Sequence, residues 1–142
     1  MNLEPIRALL ADLPLKAVEG VEEFAQISTR PNLALPAAYV MADALSGAPA
    51  TEGSYILHQV INASVAVVIV TRPDGARRGV AGERLHELTE AVIAALFGQQ
   101  PQGWDSALTV ADVRTVEVSP SLMARTVRMR GRTHLRTQLV AP

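Results

Sequence analysis

The side chains best suited to acid–base or metal chemistry in this chain are its three histidines. His58, His86 and His134 lie in three different segments. The segment HELTE, residues 86–90, begins like a zinc-binding helix but lacks the second histidine that such a helix places four residues after the first. The chain has no cysteine, which excludes thiol nucleophiles, disulfide bonds and thiolate metal sites together. We therefore expect no metal site and no cofactor.

Patterns typical of phosphate binding and of nucleophilic catalysis also fail here. The segment GARRGVAGERL, residues 75–85, has three glycines, but no Gly-Lys-Ser/Thr follows and the spacing is not Gly-x-Gly-x-x-Gly. The sequence contains no Gly-x-Ser-x-Gly elbow. Glu83, Glu87 and Glu90 have the spacing of an ordinary solvated helix face, and nothing in the sequence supplies a cleft that would raise a carboxyl pKa. We expect no catalytic residue and no enzymatic activity.

Positive charge is concentrated near the end of the chain. The segment ARTVRMRGRTHLR, residues 124–136, has five arginines in a chain whose formal net charge is -1. If this segment is a strand, its period of two puts Val127 and Met129 on one face and a line of basic side chains on the other. The residues of that line, here called the arginine row, are Arg128, Arg130, Arg132 and Arg136, with His134 among them. Arg125 belongs to the same basic segment.

Three interpretations of the arginine row remain open. In the first, the row is a solvated face that protects an exposed strand from aggregation. In the second, it is a nucleic-acid surface. In the third, it is a contact for an acidic protein or for an acidic face of another copy. Nucleic-acid binding is disfavoured because no aromatic side chain lies among the arginines to stack on bases. Contact is favoured over solvation because these residues are all Arg rather than Lys. We expect no sequence-specific nucleic-acid binding.

The two parts of the chain have opposite charge. Residues 1–110 hold seven Lys and Arg against 12 Asp and Glu, whereas residues 111–142 hold six Arg against two acidic residues. Surfaces of opposite sign on one molecule can pair between copies. A mean hydropathy of +0.19 also indicates some buried interface. We expect self-association, with Glu83, Glu87 and Glu90 as the acidic counterpart of the basic segment.

The spacing of apolar residues along the chain predicts the helices and strands that position the charged residues. The predicted elements are helices at residues 4–13, 21–28 and 80–97 and strands at 15–20, 37–41, 54–71, 110–118 and 122–139. Because strand pairs flank a long helix, we expect one α+β domain over residues 1–142, with a mostly antiparallel sheet of four or five strands and two or three helices packed on one face. Residues 43–53, rich in small and polar residues, are predicted to be a flexible loop. The long strand 54–71 predicts either a bulge near residues 62–64 or a projecting hairpin arm.

The sequence gives no sign of membrane insertion or secretion. The longest strongly apolar run, residues 64–70, is far shorter than the about 20 residues that cross a bilayer. The N-terminal residues lack the basic start and the apolar run of a signal peptide. We expect no membrane partner and a cytoplasmic site of assembly.

Several segments together resemble the tail terminator, or tail completion, proteins of long-tailed phages and prophages. These segments are LKAVEGVEEFAQI, LPAAYVMA, HQVINASVAVVIVTRPD, LHELTEAVIAALFG and TVRMRGRTHLR. The resemblance covers nearly the whole chain. The chain departs from the family pattern after the long helix. Many relatives have Gly-Trp-x-Pro at this point, whereas this chain has GQQPQGW, residues 98–104.

The resemblance implies a structural, non-enzymatic protein of the virion tail. It implies a ring, usually of six subunits, that caps the finished tail tube, stops tail polymerisation and presents the surface for head attachment. The implied partners are other copies of the chain, the tail tube protein and a head-completion or neck protein, with assembly in the cytoplasm of the host bacterium. Two alternatives remain: a neck or head-completion protein at the head–tail joint, and a nucleic-acid binding module.

Overall fold

A computed structural model describes most of the chain. The described residues are 2–27, 29, 33–53, 55–72, 78–119 and 122–139, without the side chains of 78–81 and 117–119. Within them three helices and six strands occur in the order α1 (Glu4–Leu9), β1 (Ala17–Glu19), α2 (Val21–Ala25), β2 (Ala37–Gly47), β3 (Thr51–Gly53), β4 (Ile56–Thr71), α3 (Arg78–Leu96), β5 (Thr109–Ser119) and β6 (Leu122–Gln138). No helix in these ranges is long and apolar enough to cross a membrane.

The strands form one mixed sheet in the order β1-β2-β4-β6-β5, and β3 pairs with β4 beyond the end of β2. The pairing of β1 with β2 is parallel, and every other pairing described is antiparallel. The prediction of a single α+β domain with a mostly antiparallel sheet is therefore confirmed. The sheet has six strands rather than four or five because β3 is a separate short strand.

Strands β4 and β6 form the centre of the sheet and pair along their whole length, from Ile56 opposite Gln138 to Thr71 opposite Met123. The half of β4 nearest Thr71 is almost entirely buried, whereas the half nearest Ile56 is only partly buried. This change from full to partial burial follows the change from a continuous apolar run to alternating polar residues in the sequence. The partly buried half of β4 and its partner segment of β6 are called the arm below. The partial burial of this half is compatible with the hairpin arm that was one of two predicted alternatives.

Both faces of the sheet carry apolar side chains near the body of the domain. On one side, called the helix face, α1 and α3 cover odd-numbered residues of β4 and β6. The helix-face cluster includes Ile6, Leu10, Leu85, Leu88, Val92, Leu96, Val65, Val67, Val127 and Met129. On the opposite side, called the arginine face, Phe24 of α2 contacts Tyr39 with ring centroids 5.4 Å apart. Two helices share one face as predicted, and α2 lies on the other.

The segment predicted as a loop, residues 43–53, is largely strand. Its first part continues β2 to Gly47, its last part is β3, and only residues 48–50 lie between them. The prediction of a loop is wrong. It relied on the low strand propensity of Ala, Ser and Gly, but hydrogen bonding to β4 holds residues 44–47 in a strand despite that propensity. The irregularity predicted near residues 62–64 lies instead on the facing strand, where Asp43 is the extra residue between Ala42 and Ala44.

Candidate protein-interaction site

The arginine row lies on β6 and runs from the edge of the body along the arm. On the arginine face, Arg130 stands opposite Ser64 and Arg132 opposite Asn62 of β4. Small polar neighbours leave the guanidinium groups room to extend away from the sheet. Arg130, Arg132 and Arg136 are exposed, and Arg128 is half-buried.

Arg128 is bound to two aspartates on two other strands. Its Nε and Nη2 atoms donate to the two carboxylate oxygens of Asp112 on β5, at 3.1 and 2.5 Å. Its Nη1 atom donates to Asp43 Oδ2 on β2 at 3.2 Å, and the Ser64 hydroxyl donates to the same oxygen at 2.9 Å. These three charged residues are called the Arg128 clamp below. The clamp joins β2, β6 and β5 across the arginine face.

Two β-bulges place the carboxylates of the Arg128 clamp. The register of β2 shifts at Asp43, and the register of β5 shifts between Val110 and Asp112. A bulge changes the direction of a side chain and increases the local twist of a strand. β5, which pairs with β6, and β2, which lies beyond β4, are thus both irregular near the level of Arg128, and each turns an aspartate toward it. No sequence signal for this clamp exists, because neither bulge can be seen without the pairing register.

The clamp favours the charged form of Arg128. The hydrogen bond and the negative charge of Asp112, followed by those of Asp43, raise the pKa of the Arg128 guanidinium above its ordinary value. The bidentate geometry with Asp112 is one that only arginine can make. Of the row, Arg128 therefore has a structural role inside the subunit.

Arg130 and Arg132 differ from Arg128 because their guanidinium groups have no hydrogen-bonding or ionic partner among the described residues. The backbone N–H of Arg132 donates to Ser106 Oγ at 2.8 Å. Both side chains line a shallow trough of about 590 Å³ on the arginine face. Arg128 also lines the trough, and the other lining residues are small or uncharged, including Asn62 and Thr109.

A loop formed by residues 97–108 builds one wall of this trough and is fixed to β6. The Asp105 N–H donates to the Arg132 carbonyl at 2.7 Å. The Trp104 side chain, only 4% exposed, packs over Gly131, where no other side chain would leave it room. Glycine at position 131 thus permits the close approach of Trp104 to β6. The loop therefore gives the arm a rigid base.

Two of the histidines meet on the arm. The rings of His58 and His134 have centroids 5.5 Å apart, and His134 Nδ1 lies 2.5 Å from Asp105 Oδ2. The sequence placed these histidines in unrelated segments, and only the register of β4 with β6 brings them together. In the described part of the chain, no group of three or more His, Asp or Glu residues is arranged to hold a metal.

The remaining predicted site residues lie on the other side of the molecule. Arg125 is on the helix face, where its Nη1 atom lies 3.3 Å from His86 Nδ1 on α3. His86 Nε2 in turn contacts Glu90 at 3.1 Å. Glu83 and Glu87 are exposed on the same helix and have no ionic partner in the ranges described. The structure therefore places Arg125 on the same side of the sheet as the predicted acidic residues of α3 and the arginine row on the opposite side.

The fold and this surface define a class: a single α+β domain with a projecting arm and a polar face on which charged side chains are available for contact. A family model described as Phage tail terminator protein matches residues 2–123. The chain therefore belongs to the phage tail terminator family and has a structural role in a phage tail. A search among curated proteins finds no match. The matched residues end at Met123, so the arginine row lies beyond them.

Proposed function

We propose that this protein is a non-enzymatic tail terminator that assembles into a ring, usually expected to have six subunits. The ring caps the finished tail tube, stops its polymerisation and presents a surface for attachment of the head. The observation that carries this proposal is the family match over residues 2–123. The resemblance of the late strand TVRMRGRTHLR extends the same proposal to the arm.

The surface of the subunit supports assembly with other molecules. On the helix face, Leu135 of the arm and Leu45 of the neighbouring strand β2 are each 61% exposed. On the arginine face, Arg130 and Arg132 are exposed. An apolar face and a basic face on one projecting element fit contact with protein on both sides. We therefore propose the tail tube protein, a head-completion or neck protein and other copies of the chain as the partners.

The proposed place of action follows from these partners. The protein assembles onto the tail in the cytoplasm of the host bacterium and remains in the virion. The same proposal applies to a prophage that encodes its own tail.

Tail-tube polymerisation in the presence of the purified protein tests the function. We expect tubes with a ring at one end and a limited length in electron micrographs, and longer, uncapped tubes when the protein is omitted. Tubes of unchanged length without rings would contradict capping. Pull-downs with isolated tails and isolated heads separate a tail cap from a neck protein, which would bind heads alone. A steep loss of DNA binding with increasing salt would instead favour a nucleic-acid module.

A further inference from the structure

We propose that Arg130 and Arg132 of one copy dock on Glu83 and Glu87 of α3 in a second copy. This inference rests on the proposed function, since it names the contact between neighbouring subunits of the ring. The Arg128 clamp is not part of the contact, because its guanidinium is already bound within its own subunit.

The trough supplies the receiving surface. Its lining includes the guanidinium groups of Arg130 and Arg132, which have no partner among the described residues, and small side chains such as Ala44 and Ala107. Arg128 also lines the trough, but its guanidinium is bound to Asp112 and Asp43. A concave surface with small walls accepts a convex element, and two unpaired guanidinium groups require carboxylates or phosphates as acceptors. Among the residues that the structure describes, no aromatic side chain lines the trough. Its chemistry therefore fits an acidic helix better than the stacked bases of a nucleic acid.

The spacing of the charges agrees on the two surfaces. Arg130 and Arg132 are two residues apart on a strand, so their Cα atoms are separated by about 6.5 Å. Glu83 and Glu87 are four residues apart on a helix, so their Cβ atoms are separated by about 5–6 Å. These two glutamates, together with Arg84, border a hollow between α3 and Pro14. The spacing of the two carboxylates is thus compatible with that of the two guanidinium groups.

The position of the two surfaces requires a second copy. The arginine row occupies even-numbered positions of β6, whereas α3 packs through Leu85, Leu88 and Val92 on odd-numbered positions such as Val127. Glu83 and Glu87 lie on the outer side of that helix layer. They cannot reach Arg130 and Arg132 of the same subunit through the sheet. Contact between different surfaces of successive copies is heterologous, and it closes into a ring when the rotation per subunit permits.

Charge reversal with rescue tests the contact. R130E/R132E and E83R/E87R are each prepared, and the masses of each variant, of the wild type and of an equimolar mixture are measured in solution. We expect the wild type to associate, each variant alone to lose association by about a hundredfold, and the mixture to recover it. In the mixture, each reversed surface meets a partner of opposite sign, so the assembled species alternates and contains an even number of subunits.

The control is K16E/R72E, which reverses two exposed basic residues outside the trough and changes the net charge by the same amount. It should associate like the wild type. Circular dichroism checks that every variant is folded. Wild-type association by R130E/R132E, a folded mixture that stays monomeric, or a wild type that is monomeric at all concentrations would each overturn the contact.

The same variants added to polymerising tail tubes distinguish failure of the contact from failure of the proposed function. Association of the mixture without any effect on tube length would retain the contact and reject the capping function. Normal capping by R130E/R132E alone would retain the function and reject the contact.

Discussion

The ring of Trp104 lies directly over Gly131 on the helix face of β6. A Cβ atom placed on Gly131 would be 2.7 Å from Trp104 Cε3 and 3.3 Å from Leu108 Cδ2. Real Cβ atoms do not approach other atoms this closely, so any side chain at position 131 displaces the tryptophan. This packing connects the loop 97–108 to the base of the arm, next to the trough.

Gly131→Ala should therefore destabilise the protein by about 1–3 kcal/mol, the usual effect of overpacking a filled site. Urea unfolding measures the change in the free energy of unfolding. Gly82→Ala is the matched control: a Cβ there meets no atom within 4 Å, and the residue lies inside α3. The control should raise stability by about 1 kcal/mol because alanine favours the helix. Equal effects of the two substitutions would contradict the packing described.

Trp104→Ala should cost about 3–5 kcal/mol of stability, as truncation of a buried aromatic side chain does. Since Trp104 is the only tryptophan, its fluorescence reports directly on the loop 97–108. In the wild type we expect blue-shifted emission, and in Gly131→Ala a shift toward the emission of a solvated indole. Emission typical of a solvated indole in the folded wild type would show that the loop does not pack on β6.

Arg128→Met should loosen β2 at its bulge, because Asp43 and Asp112 lose the guanidinium that joins them. Hydrogen exchange of the amides of residues 41–47 should therefore become faster. Arg128→Lys should restore the slow exchange of the wild type only in part, since lysine cannot donate to both oxygens of Asp112 as arginine does. Arg130→Met is the matched control and should leave the exchange unchanged. Equal exchange in both methionine variants would remove the structural role assigned to the Arg128 clamp.

The pH dependence of the Arg128 clamp follows from the direction of the shift. A basic group whose pKa is raised by folding contributes stability below its unfolded pKa and loses that contribution as pH rises through the folded pKa. The pKa of Arg128 is raised by Asp112 and Asp43. The difference in hydrogen exchange between wild type and Arg128→Met should therefore persist through neutral and mildly alkaline pH. Its disappearance between pH 7 and 9 would contradict a charged Arg128.

Replacement of both Leu45 and Leu135 by Ser should separate assembly from folding. Both side chains are mostly exposed in the isolated subunit, so the free energy of unfolding should change by less than about 0.5 kcal/mol per site. If the helix face of the arm is covered in the assembled tail, capping of tail tubes should weaken. Leu88→Ala, in the buried cluster, should instead lose about 2–5 kcal/mol. Full capping by the double serine variant would show that this face of the arm makes no essential contact.

Much of the fold was predictable because its signals are local. The apolar run of β4 and the stripe of Leu85, Leu88 and Val92 on α3 each repeat with the period of their own element, and both are buried as expected. The alternation along β6 likewise predicted that Val127 and Met129 are buried while the arginine row is on the other face. A family resemblance could also be recognised from the sequence, and the match over residues 2–123 confirms it.

The sequence by itself thus determined the class of fold, the order of its main elements and the face on which each basic residue of β6 lies. These features depend on the composition of each segment and on the period of its apolar residues, which are properties of residues close together in the chain. Only the tertiary structure decided that residues 43–47 are strand, that His58 meets His134, and that Arg128 is bound while the Arg130 guanidinium has no partner among the described residues. These outcomes depend on register and on bulges in strands distant in sequence. A shift of one residue in register moves every side chain to the opposite face, and no local pattern specifies where a bulge absorbs such a shift.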